Sequence, residues 1–291
     1  MVVPVNLTGK VALVTGVADD VGFGWHIAKA LQAAGAEIVL LSHPRVCSIV
    51  ERFLTRDKSA AERKLPFGVD GELKPRALIG CDVACDTAAD IPEAMKGEKG
   101  YESDVSLEGA FARVRALVPH VDLVIHCVAF SPEIAKALPE VSRKAYLTAQ
   151  SVSSYSLTAL AQAARPLMKG REGSVVGLSY MASERAVPFY GGGMSSAKAS
   201  LESDSRMLAW FFGEDGHRVN IVSAGPYASR AAKSIGDIGT MIDTTAQKSP
   251  LRRAIDADDV ANAVLFLCSD LSRNVTGTTL YVDAGYHAMG V

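Results

Sequence analysis

The chain has 291 residues, 48% hydrophobic and 21% charged, with 30 basic and 32 acidic side chains and a net charge of −2. That balance excludes intrinsic disorder and collagen-like repetition, and it leaves no cationic excess to condense on nucleic acid or an anionic membrane. No apolar run approaches the roughly 18 residues of a bilayer span, and MVVPVNLTGK lacks a signal-peptide core, so a soluble chain without a targeting segment is expected. Cysteines stand at 47, 81, 85, 127 and 268, an odd number without C-x-x-C spacing. They predict a reducing compartment, no disulfide framework and no metal site.

In chain order, VALVTG (11–16) reads as a buried strand, followed by a glycine-punctuated turn and the helix WHIAKALQAAG. Ile27, Ala30, Leu31 and Ala34 recur at helical spacing, and Gly35 stands where a terminating glycine belongs. EIVLLS (37–42) is a near-continuous apolar run, as in a parallel strand covered on both faces. Further strands are predicted at 76–83, 121–128, 173–180, 218–225 and 278–285, separated by helix-length segments. The alternation predicts an α/β fold: one Rossmann-type, doubly wound parallel sheet of about seven strands with helices on both faces, forming a single domain over 1–291. Residues 43–75 and 84–105 are rich in charge, Pro and Gly and too long for ordinary connections, so each is expected to be a surface excursion.

Three places carry candidate chemistry. Gly16, Gly22 and Gly24, with Phe23 and Trp25 interleaved in GVADDVGFGW, lie between the first strand and first helix, where backbone N–H groups can receive a pyrophosphate. The spacing differs from G-x-G-x-x-G, and such a turn can also serve only to let helix and strand pack closely. Strand 2 ends in Ser42, His43, Pro44 and Arg45, with no acid for ribose hydroxyls. Arg45 can pair with a 2′-phosphate and favour NADPH, or remain a solvated loop arginine. Downstream, Tyr190 precedes Lys198 by eight positions in FYGGGMSSAKASLESD, and Tyr180 closes strand 5 at the carboxyl end where open α/β sheets bind ligands. The glycines at 191–193 allow either close approach to a ligand or a flexible turn. Glu202 and Asp204 face different ways on a helix and read as structural. His126 reads as a core histidine ahead of a catalytic one, and His26, His120, His217 and His287 as surface or loop residues.

Taken together, GVADDVGFGWHIAKAL, SPEIAKALPEVSRKAYL, SSYSL, YMASERAVPFYGGGMSSAKASLESD, IVSAGP, SRAAKSIG and VTGTTLYVDAG resemble, in the same order, the enoyl-acyl carrier protein reductases of the plastid, apicoplast and chlamydial type. These are divergent members of the short-chain dehydrogenase/reductase family. The resemblance implies reduction of trans-2-enoyl thioesters on acyl carrier protein by NADH rather than NADPH, in fatty-acid elongation. It also implies a homotetramer formed partly through the helices holding SVSSYS and ASLESDS, located in a bacterial cytoplasm, a plastid or an apicoplast. By the same resemblance Tyr190 is the phenol that hydrogen-bonds the thioester carbonyl, Tyr180 the second pocket tyrosine and Lys198 the ligand of the nicotinamide ribose. Asp82 and Val83 read the adenine edge. Gly16, Gly22, Phe23, Gly24, Trp25, Val128, Ala129, Ala224, Gly225 and Pro226 complete the cofactor site. Tyr227, Ala231, Ala232 and Ile235 belong to a substrate-binding loop near 226–245.

The chain departs from the family pattern at His126-Cys127-Val128-Ala129-Phe130 after strand 4, at His43 in place of a tryptophan, and at Tyr227 in place of a leucine. Two alternatives share the fold. A carbonyl reductase would use Tyr-x-x-x-Lys and an upstream serine, but Met194 stands four residues after Tyr190 and Gly177 thirteen before it. A catalytically weak nucleotide-binding homologue would be consistent with the departures.

Overall fold

A computed structural model describes residues 5–229, 232 and 237–290. Seven strands form its sheet: β1 (Val11–Thr15), β2 (Glu37–Ser42), β3 (Ala77–Gly80), β4 (Leu123–His126), β5 (Ser174–Ser179), β6 (Arg218–Ala224) and β7 (Thr279–Val282). Their order is β3-β2-β1-β4-β5-β6-β7, and every pairing is parallel. The direction of winding reverses between β1 and β4, which opens a crevice at their carboxyl ends.

The strands are mostly apolar because both faces are covered. All of β1, β4 and β5 is buried. One face packs on α4 (Leu107–Leu117), α6 (Ser156–Met168) and α7 (Met194–Gly213), through Phe111, Val114, Leu157, Leu160, Leu201 and Phe212. The other packs on α1 (Phe23–Ala33) and α9 (Ala257–Cys268), through Trp25, Ile27, Leu31, Val260 and Val264. In α1, Ile27, Ala30 and Leu31 are buried as their spacing predicts, and the helix stops just before Gly35.

The stretch 43–75 is more regular than an excursion. It carries α2 (Cys47–Thr55) and the short α3 (Ala60–Arg63), with Val50, Leu65 and Leu73 buried. Arg63 is buried as well, satisfied by Glu72 and by the Phe53 and Arg56 carbonyls. The dense charge on the outer face of this crossover hides a one-sided apolar pattern. Residues 84–105 do project from the sheet, yet Cys85, Ile91, Tyr101 and Val105 give them a small core of their own. The remaining helices are α5 (Arg143–Gln150), which runs through a π-helical turn (Ser151–Tyr155) into α6, and α8 (Ile238–Lys248).

Candidate active site

At the β1–α1 turn, Gly16 has φ +73°, and a Cβ there would lie 2.2 Å from the Cys127 carbonyl oxygen beyond β4. Only glycine brings the two turns of the crevice this close. Asp19, nearly buried, accepts hydrogen bonds from the Val21 and Gly22 N–H groups at 3.1 and 2.8 Å and shapes the turn. Sequence reasoning passed over it, although aspartate bonding to N–H groups two and three residues ahead is a recognised turn device. Gly22 is the N-cap of α1, with no side-chain cap and no acid in the first turn, so the positive helix end is open to an anion. A Cβ on Gly24 would lie 3.0 Å from Val17 Cγ2, so that glycine serves helix–strand packing.

Trp25 requires a correction. Its indole is fully buried in the core, and its Nε1 donates to the Glu62 carbonyl at 2.9 Å, so only its backbone belongs to the turn. Phe23 packs at the edge of the same core, half-buried, with its ring 5.2 Å from that of Tyr227.

Across the crevice, the Asp82 carboxylate accepts from Ala84 N–H at 3.0 Å and from the Tyr101 hydroxyl at 2.6 Å. The Val83 N–H makes no hydrogen bond to any described residue. Beyond β4, Val128 is half-buried and Ala129 exposed, while burial pushes the Cys127 thiol up to about 12. His126 is completely buried. Its Nε2 lies 2.7 Å from Ser156 Oγ, which itself donates to the Val152 carbonyl, so Nε2 carries the proton. Burial, with Lys198 nearby, lowers its pKa to about 3. His126 is therefore a neutral core residue. His217 is also buried, contrary to the surface reading, and its Nδ1 accepts from Gly173 N–H at 3.2 Å.

The tyrosines and Lys198 converge on the carboxyl end of β5. Tyr180 follows the last β5 residue, and Tyr190 folds back so that the rings stand 5.0 Å apart at 69°. Neither hydroxyl is bonded to another described residue. Burial raises both phenols well above the ordinary tyrosine value, so both stay protonated. Lys198, in the first turns of α7, is buried and donates to the Leu178 carbonyl at 2.8 Å. Burial pulls its pKa down to about 8, with Cys127 and Glu202 opposing the fall. Glu202, one turn along α7, is buried and accepts from Ser179 Oγ, the structural role its sequence position indicated.

The glycines at 191–193 also need correction. A Cβ at 191 would lie 2.1 Å from the Lys136 carbonyl, and one at 192 would lie 2.4 Å from Ser131 Oγ. Their close approach is to the 131–136 loop. It fixes the segment that carries Tyr190, through Gly192 N–H to the Lys136 carbonyl and Ser131 Oγ to the Gly192 carbonyl.

Ala224, Gly225 and Pro226 are buried at the end of β6. Tyr227 turns onto Phe23 of the glycine turn and is not among the residues clustered around the tyrosine pair. Ala232 is buried; Ala231 and Ile235 lie outside the described residues. The apolar cluster around Tyr180 and Tyr190 also contains Met181, Ala182, Val187, Ile238, Met241, Tyr281 and Tyr286. Sequence reasoning missed Met241, Tyr281 and Tyr286, since only the folded sheet brings α8 and the β7 end beside β5.

An uncapped helix end beyond a glycine with no room for a side chain, an acceptor–donor pair at Asp82 and Val83, a buried lysine held on the Leu178 carbonyl of β5 and two protonated phenols just past that strand fit a dinucleotide and an electron-rich oxygen. They define an oxidoreductase site on a Rossmann-type sheet. Residues 78–287 match the family described as enoyl-(acyl carrier protein) reductase. The chain is 45% identical over 291 residues to the chloroplastic enoyl-[acyl-carrier-protein] reductase [NADH] of Arabidopsis thaliana, covering 99% of this chain and 74% of that protein. The crystal structure of the Plasmodium berghei enoyl-acyl-carrier-protein reductase with triclosan superposes with a TM-score of 0.92 at 36% identity, over 97% of this chain and 99% of that one. The Anaplasma phagocytophilum reductase in complex with NAD gives 0.79 at 33% identity, over 100% and 98%. The chain belongs to the enoyl-acyl carrier protein reductase family.

Proposed function

We propose that this protein reduces the carbon–carbon double bond of trans-2-enoyl thioesters carried on acyl carrier protein, with NADH as reductant. The observation that carries this reading is the pair of protonated phenols of Tyr180 and Tyr190 at the carboxyl end of β5, engaged by no described residue, with Lys198 anchored on the Leu178 carbonyl of the same strand. NADH, when bound, supplies hydride to the β-carbon of the enoyl group. Gly16, Gly22, Phe23 and Gly24 would hold its pyrophosphate, Asp82 and Val83 its adenine, and Lys198 its nicotinamide ribose. Val128, Ala129, Ala224, Gly225 and Pro226 would line the rest.

Negative charge would then develop on the thioester oxygen, where the Tyr190 O–H donates a hydrogen bond as a preplaced donor, and the α-carbon would take its proton from solvent. Tyr180 bounds the other side of the thioester. Met181, Met241, Tyr281 and Tyr286 would give the acyl chain an apolar wall; the family resemblance assigns Ala231, Ala232 and Ile235 to substrate binding as well.

Carbonyl reduction is disfavoured by Gly177. Glycine supplies no hydroxyl where such enzymes need a serine, and a side chain there would have to displace the Ile221 Cδ1 methyl, 2.8 Å from a Cβ. The lysine position of that motif is Met194, which is buried and accepts from Ser153 Oγ at 3.4 Å.

The protein acts as a homo-oligomer, a tetramer on this reading. Support comes from Met207, Trp210 and Phe211 on α7 and Leu147 and Tyr155 beside it, all exposed despite their size. No described helix is long and apolar enough to cross a membrane; a bacterial cytoplasm, a plastid or an apicoplast is the compartment this reading implies. The test is loss of nicotinamide absorbance with crotonyl and dodecenoyl thioesters, run in parallel with NADH and NADPH. Turnover with NADH is expected; turnover with NADPH alone would overturn the cofactor assignment, and none with either would overturn the reading.

A further inference from the structure

Residues 84–105 do more than project from the sheet. The segment leaves at Asp82 and returns at Val105, where Asp82 N–H donates to the Val105 carbonyl at 2.7 Å. In between it packs onto the end of β2. A Cβ on Gly100 would lie 2.6 Å from the Pro44 carbonyl oxygen, and the Arg45 guanidinium rests 3.2 Å from Met95 Sδ. Tyr101 is the side chain this segment sends inward. Its ring sits in the segment's small core, only 5% exposed, and its hydroxyl donates to Asp82 Oδ2 at 2.6 Å.

His43 completes a chain of hydrogen bonds. Its Nδ1 accepts from Arg45 N–H at 3.3 Å, which leaves the proton of the neutral ring on Nε2. Nε2 lies 3.3 Å from the Tyr101 hydroxyl, with the rings 6.2 Å apart near edge-to-face. The phenol therefore accepts from His43 and donates to Asp82. Ala84 N–H holds the other carboxylate oxygen. Each Asp82 oxygen keeps unused lone-pair capacity, in a carboxylate whose rotation is fixed from both sides.

We propose that Tyr101 is a positioning residue for adenine recognition: its hydroxyl, oriented by His43, holds the Asp82 carboxylate so that its remaining lone pairs accept from the exocyclic amino group. The inference rests on the reading above, in which Asp82 and Val83 take the adenine edge. A carboxylate only accepts, and the amino group is the donor on that edge. The segment 84–105 is then a wall of the cofactor site as well as an insertion.

The test compares NADH with reduced nicotinamide hypoxanthine dinucleotide, which presents a carbonyl where adenine has its amino group, in the full-length enzyme. The wild type is expected to favour NADH in kcat/KM by about tenfold or more, since the analogue sets acceptor against acceptor. Tyr101→Phe keeps the ring in its core and removes only the hydroxyl. Its preference is expected to shrink about three- to tenfold, through a raised KM for NADH, with kcat and the KM for the analogue nearly unchanged. An equal rise in KM for both dinucleotides would mark a general structural loss and overturn the proposal. So would an undiminished preference in Tyr101→Phe when Asp82→Ala abolishes it. A wild type that does not distinguish the dinucleotides would instead remove the Asp82 reading on which the proposal stands.

Discussion

The two ends of the crevice are built on opposite plans. At the Asp82 end the polar groups fix one another in advance: Ala84 N–H and the Tyr101 hydroxyl bond the carboxylate, and His43 bonds that hydroxyl. At the Tyr190 end two phenols lie ring to ring in an apolar cluster, with hydroxyls that no described residue engages. The first end is a recognition surface, where fixing the acceptor in advance lowers the entropy lost on binding. The second is a reaction surface, where a donor held in reserve strengthens its bond only as charge develops on the substrate. Lys198 stands at that second end, satisfied by the Leu178 carbonyl yet with donors to spare.

The comparison breaks most sharply at Tyr190. Tyr190→Phe should lower kcat by about 100-fold or more while leaving the Kd for NADH, measured by fluorescence titration, nearly unchanged. A parallel loss of both would mean that the reaction end also binds cofactor through this phenol. Gly16→Ala strikes the joint between the two ends. A left-handed φ and a 2.2 Å contact with backbone should cost about 2–4 kcal/mol of stability, read as a lowered Tm with weakened dinucleotide binding.

Lys198→Ala should raise the KM for NADH by about tenfold, more than it lowers kcat. The same contact has a pH signature. With the Lys198 pKa lowered to about 8, the ammonium is present at neutral pH and lost as pH rises through that value. The KM for NADH should accordingly climb above pH 8 in the wild type and stay flat in Lys198→Ala. Tyr227→Leu is the mildest change: an aromatic contact with Phe23 is worth about 1 kcal/mol. A rise of a few-fold in the KM for NADH, with the acyl-chain preference unmoved, would place Tyr227 on the cofactor side.

Much of this was legible in the chain because both principal signals are local. Apolar runs bounded by turns located every strand of the sheet, and the predicted ends of β3, β4 and β7 overran by two or three residues where the chain turns out of the sheet at 81–83, 127–128 and 283–285. The glycine turn, the tyrosines and Lys198 lie in contiguous motifs, so their neighbourhood was predictable from spacing and resemblance. What escaped detection depends on tertiary approach. Trp25 sits among turn residues, but the direction of its side chain is set by the core that α2 and α3 help to close. Gly191 and Gly192 announce a close contact without saying with what, and the partner is a loop more than fifty residues away. Tyr101 lies in a charged, proline-containing tract whose only apolar purpose is a core of a few residues.

The account rests on which bond of the substrate is reduced. The most direct test offers the wild-type enzyme crotonyl and acetoacetyl thioesters of acyl carrier protein in parallel, with NADH, and identifies the products by mass spectrometry. It predicts gain of two hydrogens by the crotonyl group to give butyryl, and no reduction of the acetoacetyl carbonyl. Hydroxybutyryl from acetoacetyl thioester, with crotonyl thioester untouched, would contradict it.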